Sequence, residues 1–245
     1  MKFQLPQWVQ TIRFPYSIRK HPGFAGEKVA FSILVVWSLA GCASVGVRNP
    51  TDGSANSALP NRIWVADFDC NHGVFNVNRS GEELTAFQSK TANALADYLV
   101  ADLNQAVAPA SRGSASAKSS ANVWLVTGEF VRVNQGSRAL RGLIGLGAGG
   151  TKMETRVRVY DLSKRAKEPV LAFETSGGSN AEPGAVLGGT FGALPNALRN
   201  GGLRGVSDDT ARTAREITAM VADYYSKRGG QPLRPGMKPK ILVNR

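Results

Sequence analysis

Two short stretches of this 245-residue chain carry residue types that could do chemistry. The first is RGLIGLGAGGTK, residues 141–152. In it Gly145, Gly147 and Gly150 have G-x-G-x-x-G spacing, and Gly150-Thr151-Lys152 has the composition of a permuted phosphate-loop ending. The second is DFDCNH, residues 67–72, which offers two carboxylates, a thiol and an imidazole. A dinucleotide cradle needs a strand, a glycine turn and then a helix, so that the helix N-terminus meets the pyrophosphate. Here the residues after Gly150 alternate. Met153, Thr155, Val157 and Val159 fall on one face and Lys152, Glu154, Arg156 and Arg158 on the other, which predicts a strand. A phosphate loop needs Gly-Lys-Ser/Thr before a helix, and this chain has Gly-Thr-Lys before a strand. The reading is therefore no nucleotide, and a hairpin connection whose glycines permit positive φ. That connection carries Leu140, Arg141, Leu143, Ile144 and Leu146. Aliphatic side chains in a loop must pack on the domain, on a partner or on lipid, so these five residues form the candidate interaction loop.

The second stretch offers less. On a strand, Asp67 and Asp69 would share one face while Cys70 and His72 lie on the other. No second ligand cluster accompanies them, so no metal is expected. Cys70 as a nucleophile would need a base, and His72, two residues along a strand, is badly placed to serve. There is no G-x-S-x-G or S-x-x-K motif. No catalytic residue and no cofactor is expected. An enzyme built on Cys70 and His72 stays open as the third reading.

Several elements must position these stretches. RIWVADFD, residues 62–69, alternates like a strand. Ser80 and Glu83 have capping-box spacing, which predicts a helix from about Gly81 to about Ala106. Its apolar stripe is Leu84, Phe87, Thr91, Leu95, Tyr98, Leu99 and Leu103. Residues 109–121 read as a polar loop. Strands follow at 122–136, at 151–163 and within EPVLAFETSGGS, residues 168–179. A second glycine-rich stretch spans 177–205. It is bounded by Pro183 and Pro195, too close together to span a bilayer. The final helix is expected to be capped by Ser207, with a stripe of Ala214, Ile217, Val221 and Tyr225, and to end at Lys227, Arg228 and Gly229. The order βαβββα predicts a single α+β domain, with two helices packed on one face of a mainly antiparallel sheet.

The N-terminus has a different character. Lys2, Arg13, Arg19, Lys20 and Lys28 precede the uncharged run VAFSILVVWSLAG, residues 29–41, and then Cys42. A basic region before about 13 apolar residues fits a secretory signal, and the run is short for a membrane-spanning helix. Leu39-Ala40-Gly41-Cys42 resembles the bacterial lipobox, in which the cysteine is lipidated and becomes the first mature residue. Ala43, rather than Asp, suggests sorting to the outer membrane. These features predict a signal peptide at 1–41, a flexible tether at 42–60, the domain at 61–229 and a mobile basic tail with prolines at 230–245. The eighteen flexible residues 43–60 would reach roughly 20–25 Å.

The formal charge of +12 falls to +8 once the leader's five Lys/Arg and one Glu are set aside, leaving 25 basic and 17 acidic residues. The mature chain then holds one histidine and, after lipidation, one free thiol, Cys70, so no intramolecular disulfide can form. Lys152, Arg156 and Arg158 share one strand face, expected to be solvated, with attraction to anionic lipid or envelope polymers as the alternative. Nucleic acid is not expected, because no aromatic stacking set accompanies the charge.

The lipobox, the segment Gly128 to Asp161 and the closing helix together resemble a bacterial lipoprotein family known as domain of unknown function 4410, over about residues 60–228. That family brings no catalytic residues. More coarsely, the element order is similar to the periplasmic domain type of the curli secretion lipoprotein and of the penicillin-binding-protein activator lipoprotein. The resulting expectation is a periplasm-facing outer-membrane lipoprotein, tied to the membrane by its lipid anchor. It would act as a non-catalytic binding or assembly module, with a homo-oligomer or an envelope protein or polymer as partner. An oligomeric component of a curli-like secretion or assembly system is the second reading. Segments 142–150 and 184–205 do not alternate like barrel strands, which argues against a pore.

Overall fold

A computed structural model describes residues 44–53, 57–114, 122–136, 150–163, 168–178 and 204–243. All of these lie in one compact unit, Ala40–Arg245. In chain order the elements are β1 (Ser44–Asp52), β2 (Arg62–Val65), β3 (Val74–Asn76), α1 (Gly81–Ala106), β4 (Ala110–Arg112), β5 (Val123–Asn134), β6 (Lys152–Asp161), β7 (Leu171–Gly178) and α2 (Arg204–Lys227). The seven strands form one sheet in the order β1-β7-β6-β5-β2-β4, with β3 also paired to β5. The long ladders β1/β7, β7/β6 and β6/β5 are antiparallel. The short ones, β2/β4, β2/β5 and β3/β5, are parallel. The result is the expected α+β fold with a mostly antiparallel sheet.

Strand β6 shows why the sheet has two unlike faces. Met153, Thr155, Val157, Val159 and Asp161 are buried, while the intervening residues are partly or fully exposed. Period-two alternation thus sends one face into the core and the charged face to solvent. Helix α1 buries Phe87, Leu95, Leu99 and Leu103 along one stripe. Helix α2 buries Ala214, Ile217, Val221 and Tyr224. Trp124 of β5 is fully buried against α2, with ring centroids 5.5 Å from Tyr224 and 6.3 Å from Tyr225. A second aromatic chain, Phe68, Phe130, Phe75 and Phe87, ties β3 and α1 to β5 at centroid spacings of 6.1, 6.0 and 6.4 Å. Burying one such side chain contributes about 1.5–3 kcal/mol, so these stripes hold both helices on the sheet.

Four local expectations need correction. Residues 44–52, assigned by composition to a flexible tether, are strand β1. Val45 and Val47 are 3% and 0% exposed, and their alternation is the strand signal that the surrounding Gly, Asn and Pro concealed. The tail after 230 is also held. Val47 N donates to Lys240 O at 2.7 Å and Leu242 N donates to Val47 O at 2.7 Å, so the segment adds to the outer edge of β1. Glu216 Oε2 accepts from Lys240 N at 2.9 Å, and Lys240 Nζ donates to Ser44 Oγ at 3.0 Å. A Cβ on Gly46 would lie 2.6 Å from Leu242 Cγ, so only glycine lets the tail close on β1. Helix α1 begins at Gly81 after N-cap Ser80, but the Ser80 side chain makes no capping hydrogen bond. Helix α2 already includes residues 204–206, so Ser207 lies inside it and does not cap it.

Candidate functional site

One end of the sheet aligns described residues that flank the glycine-rich stretches and the N-terminal cysteine. The ladder registers align Asn76 with Asn134, Asn134 with Lys152, Lys152 with Gly178 and Gly178 with Ser44. This terminal row crosses β3, β5, β6, β7 and β1. Asn134 is two residues before 136, where the described chain breaks off towards the candidate loop, and Lys152 is two residues after it resumes at 150. Gly178, at the start of the second glycine-rich stretch, is the last residue described before 179–203. Ser44 stands two residues after Cys42. The lipobox residues Leu39, Ala40, Gly41 and Cys42 and the loop residues Leu140, Arg141, Leu143, Ile144 and Leu146 themselves lie outside the described residues.

Cations flank and punctuate this row. Lys152 Nζ lies 2.8 Å from Glu154 Oε1, with 41% of its side chain exposed. Arg79 Nη1 donates to Gln135 Oε1 at 2.9 Å, and its guanidinium lies 4.7 Å from the Phe87 ring centroid. Lys240 reaches Ser44 from the opposite side. No carboxylate occupies the row itself; its members are Asn76, Asn134, Lys152, Gly178 and Ser44.

Further along the open face, the expected basic stripe is interleaved with acids. Arg156 donates to Glu129 Oε1 at 2.8 Å and to Glu174 Oε1 at 3.2 Å. Arg158 donates to Glu129 at 3.2 Å. The Arg156 hydrogen bond holds the Glu129 carboxyl below the usual carboxylate range, with Arg158 helping against the opposing effect of burial. Ion pairs this exposed contribute roughly 0–1 kcal/mol each. The face is an alternating mosaic and not an unbroken positive surface.

The DFDCNH stretch is the bend between β2 and β3. Asp69 Oδ1 accepts from Asn71 N at 2.9 Å and Asn71 Nδ2 at 2.6 Å, as a turn residue does. Cys70 is half-buried, its Sγ 3.7 Å from Gln88 O. Burial, aided by the Asp69 charge, pushes its thiol up to about 11. A thiol this basic is almost wholly protonated at neutral pH and is a poor nucleophile. His72 is exposed. Among the described residues no three His, Cys, Asp or Glu side chains converge as a metal site. Asp67 points elsewhere, pairing with Arg112.

That Arg112 belongs to a feature the sequence did not reveal. Its guanidinium also donates to Asp97 Oδ1 at 2.7 Å, Asn93 O at 3.1 Å and Asn93 Oδ1 at 3.0 Å. The group lines an open cleft of about 670 Å³ with Val65, Gly113 and Ser114. Arg112 sits in residues 109–121, read as loop, and only the pairing of β4 with β2 brings it to Asp67. Both carboxylates are held by the same cation.

Fold and site define an α+β domain whose sheet aligns at one end the described residues Asn134, Lys152, Gly178 and Ser44. Among the described residues no helix is long and apolar enough to cross a membrane. Residues 63–195, more than half of the chain, match the family described as domain of unknown function (DUF4410), and the chain belongs to that family. No curated protein matches it significantly. Among solved structures it is similar to the PelC dodecamer from Paraburkholderia phytofirmans, at 11% identity and a TM-score of 0.36, over 78% of this chain and 99% of that one. A PelC point-variant dodecamer from the same organism gives 15% identity and a TM-score of 0.35, over 78% and 100%. At these TM-scores the likeness carries no functional argument.

Proposed function

We propose that this protein is a lipid-anchored component of the cell envelope. In this reading residues 1–41 are removed, Cys42 carries the lipid, and the domain faces the periplasm from the outer membrane. There it serves as a non-catalytic binding or assembly module for a second copy or for another envelope component. The observation that supports this most is the position of Ser44. It begins β1 only two residues after Cys42, in the row from which the loop 137–149 and the stretch 179–203 also depart. Two residues span at most about 7 Å. An acylated Cys42 therefore leaves no tether, and the terminal row comes to the level of the lipid headgroups. The described chain breaks off from this same row towards residues 137–149, which include Leu140, Leu143, Ile144 and Leu146. Replacing Cys42 by Ser tests the reading. The wild-type chain is expected to float with the membrane fraction in a density gradient, and the variant to be released or retained as an uncleaved precursor. A Cys42→Ser protein processed and floated like wild type would overturn it.

A further inference from the structure

We infer that the outer edge of the C-terminal tail is an interface with a second copy of this chain, the two tails pairing antiparallel about a two-fold axis through Ile241. This rests on the assembly-module reading and names the second copy as its partner. The tail runs parallel to β1 and is bonded to it through alternate residues. Lys240 O accepts from Val47 N and Leu242 N donates to Val47 O, each at 2.7 Å. Successive residues of a strand turn their N–H and C=O groups to opposite sides, so those of Ile241 and Val243 point away from β1. Among the described residues neither makes a backbone hydrogen bond. The tail is therefore the edge of the sheet on this side, and unpaired backbone groups at an edge are a template for another strand. The side chains favour the same outcome. Three of the five large apolar side chains exposed among the described residues, Leu233, Ile241 and Val243, belong to the tail. Ile241 is 49% and Val243 84% exposed. Ile241 and Pro239 line a groove of about 480 Å³ together with Pro50, Met220 and charged neighbours. A pair centred on Ile241 sets that residue against its own counterpart, and Val243 against Pro239 of the second copy. Each Ile241 N–H then donates to the other Ile241 carbonyl, and each Val243 N–H to the Pro239 carbonyl opposite. Pro239 has no N–H to offer, which keeps the shared ladder short. Residues 239, 241 and 243 alternate onto one face, so Val243 covers apolar surface beside the groove. One edge serves as both donor and acceptor, which closes the assembly at two copies instead of extending it into a fibre.

The test uses the full-length chain in cell membranes, in a Cys70→Ser background with one added cysteine. Ile241→Cys sits on the axis, where paired Cα atoms are about 5.5 Å apart and within disulfide range. Mild oxidation is expected to give a covalent dimer. It should be several-fold more abundant than from the Cys70→Ser parent or from Leu233→Cys, a position that is more exposed but off the axis. Adding Val243→Pro to the Ile241→Cys protein removes an outward N–H and none of the tail's bonds to Val47. The dimer should then fall several-fold. Equal crosslinking at 233 and 241, or none at 241, in protein that floats with the membrane overturns this inference alone. So does a dimer indifferent to Val243→Pro. Crosslinking confined to 241 in protein that does not float upholds the pairing and overturns the lipid-anchored reading.

Discussion

Asp209 is 1% exposed on α2, with Arg212 Nη1 donating to its Oδ1 at 2.9 Å and no partner for its Oδ2. Burial raises its carboxyl above the ordinary range, against the lowering effect of Thr151 and Arg212. Thr213, one helical turn on, also has an unpartnered buried Oγ1. Because the folded carboxyl is the weaker acid, the folded state binds more protons between the ordinary carboxylate range and Asp209's raised value. Stability contributed by this group is therefore full at low pH and is lost as pH rises through that window. Asp209→Asn removes the buried charge. The variant should be the more stable at neutral pH by on the order of 1 kcal/mol, with the difference vanishing towards the low end of the window. Chemical denaturation across pH 3 to 8 checks this, and a variant less stable than wild type at pH 7 would contradict it. None of this is legible in the sequence, where Asp208 and Asp209 look alike as acids near a helix start. The helix begins earlier, and its rotation buries Asp209 while Asp208 is exposed.

At the scale of elements, β1 decides how the domain would meet the proposed anchor at Cys42. It is held from one side by β7 and from the other by the segment around Ile241. A Cβ on Gly177 would meet Ser44 O at 2.2 Å and Val45 Cα at 2.4 Å, both backbone atoms that cannot step aside. Gly177→Ala should therefore pry the start of β1 from β7 and destabilise the protein by about 1–3 kcal/mol. Unchanged melting would show that the two strands are not this close. Ending the chain after Pro239 removes both ladder bonds to Val47. The Val47 amide should then exchange with solvent much faster, while the core amides of β5 keep their protection, as hydrogen exchange would reveal. The longest elements were readable because each repeats one period many times. Helix α1 and strands β5 and β6 fall where alternation and helical spacing put them. Strands β1, β3 and β4 were not readable. They are short or diluted by Gly, Asn and Pro, and they exist because a long neighbour offers an edge.

For the whole molecule, the sheet end next to Cys42 is the feature around which the functional reading turns. The candidate loop was identifiable as aliphatic residues stranded between strands, and Cys42 by the pattern preceding it. That the described residues flanking them, Asn134, Lys152 and Ser44, share one row depends on the pairing order β5-β6-β7-β1, which no local period encodes. If the loop meets a second copy or a neighbouring envelope protein, Leu143→Ser with Ile144→Ser should weaken crosslinked assemblies extracted from cells and leave melting unchanged. An identical crosslinking pattern would remove the loop from the interface. The central claim is the proposed anchor at Cys42, because in that reading it would bring the start of β1 to the membrane. Mass spectrometry of the detergent-extracted protein tests it most directly. The account predicts a chain that begins at Cys42 and carries the added mass of a lipid on its N-terminal peptide. A chain that keeps residues before Cys42, or begins there without lipid, would contradict it.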